Sequence, residues 1–158
     1  MIMTTMSINS LVRQAVLCSA LLLLAGCDDP AGQAGLPVPE APKRTLDAAQ
    51  LALGAQRYQQ HCARCHGAKA EGAAQWRQRG PDGMFPPPPL NGSGHAWHHS
   101  IVALKDVITQ GSPPGTGNMP AWGDKLSEQE MEAIIAWLQS LWPKPVYDAW
   151  YEMQHRGR

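Results

Sequence analysis

Cys62-Ala63-Arg64-Cys65-His66 is the stretch from which the rest of the chain can be read. Two thiols three apart, with an imidazole directly after the second, are what covalent haem attachment requires. Each sulfur forms a thioether to a haem vinyl group, and the histidine nitrogen reaches the iron. A thioredoxin-like redox pair or half of a zinc site would use the same thiols. The first wants a βαβ setting, which the sequence does not suggest, and the second wants more ligands at short spacing, whereas the next histidine is His95. The motif therefore predicts one covalent haem c on Cys62 and Cys65, with His66 as an iron ligand. The chain must then supply a sixth ligand, a dry pocket and an oxidising compartment.

Composition suits that demand. A single Phe and three Tyr in 158 residues make a thin core, which six Trp and a bound macrocycle would fill, and 14 prolines with 15 glycines call for long connections. Net formal charge is zero and there is no basic run. That argues against nucleic acid, where clustered Lys and Arg must neutralise phosphate.

Upstream, Arg13 precedes an apolar run from Ala15 to Gly26 broken only by Ser19. The run is shorter than the roughly 20 residues of a membrane-spanning helix and matches the core of a signal peptide. Leu24-Ala25-Gly26-Cys27 resembles the bacterial lipoprotein signal, which implies export, cleavage after Gly26 and acylation of Cys27. Residues 1–26 are thus expected to be a signal peptide. By the same resemblance, Asp28 favours the inner membrane, with the protein lipid-anchored on its periplasmic side. Cys18 leaves with the signal, so the three remaining thiols are all assigned and none is left for a disulfide, although an exported chain would permit one. Residues 27–44 carry four prolines and no apolar period, which marks a flexible linker able to reach about 50 Å when extended.

From Thr45, a possible cap, apolar residues recur at helical spacing through Leu46, Ala49, Leu53 and Leu51, Ala55, Tyr58. Gly54 lies on the face of Tyr58, and a glycine inside a helix needs a reason such as close approach of another helix. A second helix is expected from about His98 to Gln110, with Trp97, Ile101, Leu104 and Ile108 on one face and Gly111 as its stop. A third opens with a capping box, Ser127 with Glu130, and a hydrophobic staple of Leu126 on Met131. Its stripe runs through Ile134, Ile135, Leu138 and Leu141 until Pro143. No stretch alternates as a strand does, so the expected class is all-α, three to four helices with long loops.

Gly54-x-x-x-Tyr58, Cys62-x-x-Cys65-His66-Gly67, Pro88-x-Leu90-x-Gly92, Asn118-Met119-Pro120 and Ile135-Ala136-Trp137-Leu138 together resemble a class I cytochrome c over about 45–142. The resemblance implies the cytochrome c fold, with the first and last helices crossing at Gly54 and Tyr58 and Trp137 at the crossing. It also implies that the Pro88 carbonyl accepts from the His66 imidazole, that Leu90 lines the haem, and that the sixth ligand comes from a loop before the last helix. Met131 is taken by the staple, Met153 lies beyond that helix, and Met84 stands too close to the haem motif. Met119, set between a turn-rich stretch and Pro120, is the expected ligand. Trp122 is expected to shield the haem edge or to serve as core. Residues 67–86, longer than in compact members, read as a solvated excursion or a docking surface, and 143–158 as an extension, either a short helix or a partner contact.

The implied function is single-electron carriage between redox proteins, such as a respiratory complex, oxidase or dehydrogenase, without a small-molecule substrate. Two other classes stay open. A labile Met119 would make the chain a haem enzyme or sensor for peroxide or gas, and His95, His98 and His99 could serve bis-histidine ligation or an accessory copper-handling role.

Overall fold

A computed structural model describes Ala41, Arg44 and residues 46–156. The expected signal peptide, Cys27, Thr45 and all of the linker except Ala41 and Arg44 lie outside the described residues. Among the described residues there are four helices of ten or more residues: α1 (Ala48–His61), α3 (Ile101–Gln110), α4 (Glu128–Ser140) and α5 (Lys144–His155). The single turn α2 (Ala63–His66) follows α1 directly, and a 3₁₀ turn (Ala96–His98) precedes α3. Among the described residues there is no strand, and a lone parallel bridge joins Phe85 to Gly117. No described helix is long and apolar enough to cross a membrane.

Local chemistry sets most helix ends. Asp47 caps α1, its carboxylate accepting from Ala49 N at 2.9 Å, so the helix starts later than a Thr45 cap would place it and Leu46 is left 51% exposed. Ser100 caps α3 by accepting from Ala103 N at 3.1 Å. That confines Trp97 to the preceding turn rather than the helix proper. Gly111 ends α3 with φ of 80°, a conformation glycine adopts without strain. The capping box on α4 is complete: Glu130 N donates to Ser127 Oγ at 3.3 Å and Ser127 N donates to Glu130 Oε2 at 2.9 Å. Leu126 and Met131, the staple pair, belong to one buried cluster. The helix ends at Ser140, earlier than the apolar stripe suggests, and Leu141 is 36% exposed.

Helices α1 and α4 cross at Gly54. A β-carbon there would lie 2.5 Å from the Ala133 carbonyl carbon and 2.9 Å from Trp137 Cβ. Removing the side chain is therefore what lets the two backbones meet. Arg57 Nε pairs with Glu130 at 2.6 Å alongside the same crossing. The main core gathers Tyr58, Ala70, Leu126, Met131, Ile134 and Leu138, and helix α3 packs beside α4.

A second, smaller core consists of Ala96, Trp142 and Trp150, with Trp97, Val146, Tyr147 and Tyr151 against it. The extension is thus a helix, and it packs on the 3₁₀ turn. Its indole Trp150 Nε1 donates to His99 O at 3.0 Å. Arg44, the last residue of the expected linker, donates to Gln139 O at 2.6 Å and Trp142 O at 2.9 Å, two carbonyls at the C-terminal end of α4.

Candidate haem site

The sequence Cys62–His66 folds as one helical turn because α1 runs straight into it. Cys62 is at once the C-cap of α1 and the N-cap of α2, and its carbonyl accepts from Cys65 N at 3.1 Å and His66 N at 3.0 Å. Residues three apart on such a turn share a face, so the two thiols project together. Both are unpaired. Burial, with Cys65 adding to it, pushes the Cys62 thiol up to about 11.

His66 is buried, with Nδ1 2.9 Å from Pro88 O. A carbonyl can only accept, so Nδ1 carries the hydrogen and Nε2 keeps its lone pair for a metal. Burial holds the imidazole below the usual histidine range, partly offset by the bond to Pro88. Both effects suit a ligand, which must be neutral and fixed in orientation. The proline run is itself held in place: Leu90 N donates to Ala70 O at 2.8 Å and Ala73 N to Pro87 O at 2.9 Å.

Several supports escape a sequence reading. Tyr58 Oη donates to Gly67 O at 2.8 Å, closing the turn behind the imidazole from within α1. Burial, and then Cys62, raises that phenol far above its ordinary range, so it remains a donor. Trp142 Nε1 donates to Leu90 O at 2.9 Å, and Ala70 takes a φ of 57°, rare for a residue with a β-carbon, while fully buried. The Gly54-x-x-x-Tyr58 spacing pointed to a helix crossing; nothing local pointed to the bond at Gly67.

Met119, partly buried, sits at the end of the loop from Gly111. Ser112 N donates to Met119 O at 2.9 Å and Met119 N to Ser112 Oγ at 3.2 Å, so the loop is closed at its foot. Residues 67–86 are largely exposed, as a solvated excursion would be, and Arg79, Asp82 and Phe85 are bonded to residues 115–118 of this loop. Trp122 lies against the main core with Cys62, its ring centroid 5.1 Å from that of His61. Leu90 touches both cores.

His95, His98 and His99 are exposed and engaged with rings: His95 stacks on Trp76 at 5.1 Å, His99 meets His95 edge-on at 5.6 Å, and His98 lies 3.8 Å from Trp97. Burial first, then the neighbouring His99, His98 and Arg77, hold His95 below its usual range. No group of three or more His, Cys, Asp or Glu able to hold a metal ion occurs among the described residues.

The donor set tests well against a covalent haem. Two unpaired thiols on one turn and an adjacent buried imidazole with Nε2 as its lone-pair nitrogen are the soft sulfur and nitrogen groups the cofactor needs. Fold and site together are those of a class I c-type cytochrome. The family described as cytochrome C oxidase, cbb3-type, subunit III matches residues 49–138, more than half of the chain, and the chain belongs to it. Membership implies haem c, covalently held.

Among curated relatives, the chain is 30% identical over 98 residues to the cbb3-type cytochrome c oxidase subunit CcoP of Azospirillum sp. (strain B510), covering 62% of this chain and 31% of that one. It is 29% identical over 114 residues to CcoP of Azospirillum brasilense, covering 72% and 36%. To the chloroplastic cytochrome c6 of Chlamydomonas reinhardtii it is 31% identical over 95 residues, covering 60% and 56%. The chain thus spans about a third of the length of the two CcoP proteins it matches and just over half of that of cytochrome c6. No solved structure matches significantly.

Proposed function

We propose that this chain is a monohaem cytochrome c, lipid-anchored through Cys27 on the periplasmic side of the cell membrane, that carries single electrons between redox proteins. The observation that carries the reading is the buried His66 imidazole, held through Nδ1 by Pro88 O, on the same turn as two unpaired thiols. Cys62 and Cys65 would hold the haem, His66 Nε2 and Met119 Sδ would ligate its iron, and Leu90 and Trp122 would wall it from water. When bound, the haem supplies an iron that gains or loses one electron. The protein's part would be to hold the iron with both the His66 and the Met119 side chains, leaving no place for small molecules, and to keep the surroundings apolar, which with a thioether ligand would favour the reduced state.

The Pro88 carbonyl fixes the imidazole plane and raises its basicity. The likeness to oxidase subunits supports a terminal oxidase as one redox partner. A lipid tether would raise the local concentration of such a partner without requiring tight docking.

An absorption spectrum of the ferric holoprotein tests the core of this reading. A far-red methionine-to-iron band is expected in wild type and should vanish in Met119→Ala. High-spin ferric iron in the wild type would overturn it in favour of a haem enzyme or sensor. Radiolabelled palmitate incorporation, lost in Cys27→Ser, tests the anchor.

A further inference from the structure

The foot of the Met119 loop is closed by Ser112, but its far end, Gly115–Asn118, is held mainly by a segment more than thirty residues earlier in the chain. Arg79 Nη1 donates to Gly115 O at 2.9 Å and to Gly83 O at 2.5 Å, so one guanidinium ties the two loops together. Phe85 N donates to Thr116 O at 3.0 Å, and Phe85 and Gly117 form the parallel bridge. Asn118 Nδ2 donates to Asp82 Oδ2 at 2.8 Å, while Asp82 Oδ1 accepts from Met84 N at 3.0 Å. The Arg79 guanidinium also lies 4.3 Å from the centre of the Phe85 ring. Within the loop, Thr116 bonds only to Pro113 O.

We infer that the 79–85 segment is a latch on the axial-ligand loop, with Arg79, Asp82 and Phe85 as positioning residues that set how often Met119 leaves the iron. The inference rests on the reading of Met119 as a ligand. Asn118 is covalently bonded to Met119, so the Asp82 bond acts one residue from the ligating side chain. These bonds lie at an exposed surface, where each is individually weak. They act in parallel on one short loop, however, and a loop opens only when all of its restraints release together. The population of the open state then governs how fast an added ligand reaches the iron.

The experiment uses the full-length holoprotein and measures the rate at which imidazole binds ferric iron, with hydrogen exchange at backbone amides as a readout independent of the haem. Asp82→Ala and Arg79→Ala should each speed imidazole binding by about threefold to tenfold, a tenfold change corresponding to about 1.4 kcal/mol of opening free energy. Both should also speed exchange at the Phe85 and Met119 amides, and leave the far-red band in place. Asp82→Asn keeps the oxygen that accepts from Met84 N and sets an amide N–H opposite Asn118, whose own amide can turn its oxygen to accept it; it should return both rates towards wild type, a rescue that general loss of stability would not produce.

Met119→Ala separates the two readings. If it keeps the far-red band, or if wild type lacks one, Met119 is not the ligand and the latch falls with that reading. If the band is present in wild type and lost in Met119→Ala, yet the Asp82 and Arg79 variants bind imidazole and exchange amides at wild-type rates, the latch alone is overturned. Should a variant fail to fold, wild-type exchange decides: a Phe85 amide that exchanges like an unbonded one overturns the latch, and one sharing its opening with Met119 supports it.

Discussion

Tyr58 and Trp137 meet with ring centroids 4.5 Å apart and planes inclined at 37°, one from each of the two helices that cross at Gly54. The phenol of the same Tyr58 reaches Gly67 O. A single side chain thereby couples the helix crossing to the turn that carries His66.

That coupling is measurable. Trp137→Ala should cost about 3–5 kcal/mol if it behaves as a large core truncation. Tyr58→Phe, which removes only the bond to Gly67, should cost about 0.5–1.5 kcal/mol. A double-mutant cycle with Tyr58→Ala should return a ring-to-ring coupling of about 0.5–1.5 kcal/mol by denaturant unfolding. Strict additivity would show that the rings merely adjoin.

Gly54→Ala offers a sharper test, since two effects of opposite sign compete. Alanine favours the helix by about 1 kcal/mol, but the added carbon meets the Ala133 backbone, which cannot rotate away, and overpacking costs about 1–3 kcal/mol. The close approach should win, and the melting temperature should fall. A rise would mean that α1 and α4 do not approach so closely.

Trp150→Ala tests whether α5 belongs to the domain. Its indole is buried and donates to His99 O, so the loss should be about 3 kcal/mol or more, seen as a lower unfolding midpoint. An unchanged midpoint would make residues 144–155 a passive appendage.

Acid should weaken the fold through the capping box. Glu130 is held below the usual carboxylate range chiefly by the Ser127 backbone N–H, then by its hydroxyl, with Arg57 contributing. A carboxyl whose folded value is depressed adds stability that is complete above its unfolded value and is lost as pH falls through the folded one. Stability should therefore hold from neutrality to about pH 5 and decline below it, with Glu71, Asp82 and Glu128 sharing the effect. Glu130→Gln should flatten the decline in melting temperature against pH, and an unaltered slope would count against the assignment. Ser127→Ala, at neutral pH, should cost about 1 kcal/mol.

Much of this molecule follows from short-range pattern. The cap at Ser127, the stop at Gly111 and the face shared by Gly54 and Tyr58 depend on residues within one or two turns, so their chemistry stands in the sequence in readable form. Where two local solutions competed, reading failed: Thr45 and Asp47 are both competent caps, and α1 uses Asp47. Leu141 continues an apolar stripe, yet the helix has already ended.

Arrangement of the site divides the same way. Cys62, Cys65 and His66 are neighbours on one turn, and their spacing alone declares the kind of group they suit. The Pro88 O acceptor for His66 was legible only through the family motif; Trp142 on Leu90, and Arg79 and Asp82 on the Met119 loop, join residues 36 to 52 positions apart. A hydrogen bond at that range leaves no period or spacing in the chain, because either partner could bond equally well elsewhere. Periodicity and motif therefore pointed to the class, to α1, α3 and α4 and to the donor set, whereas only the packed fold decided that residues 144–155 form a helix closing a second core and that the 79–85 segment grips the Met119 loop.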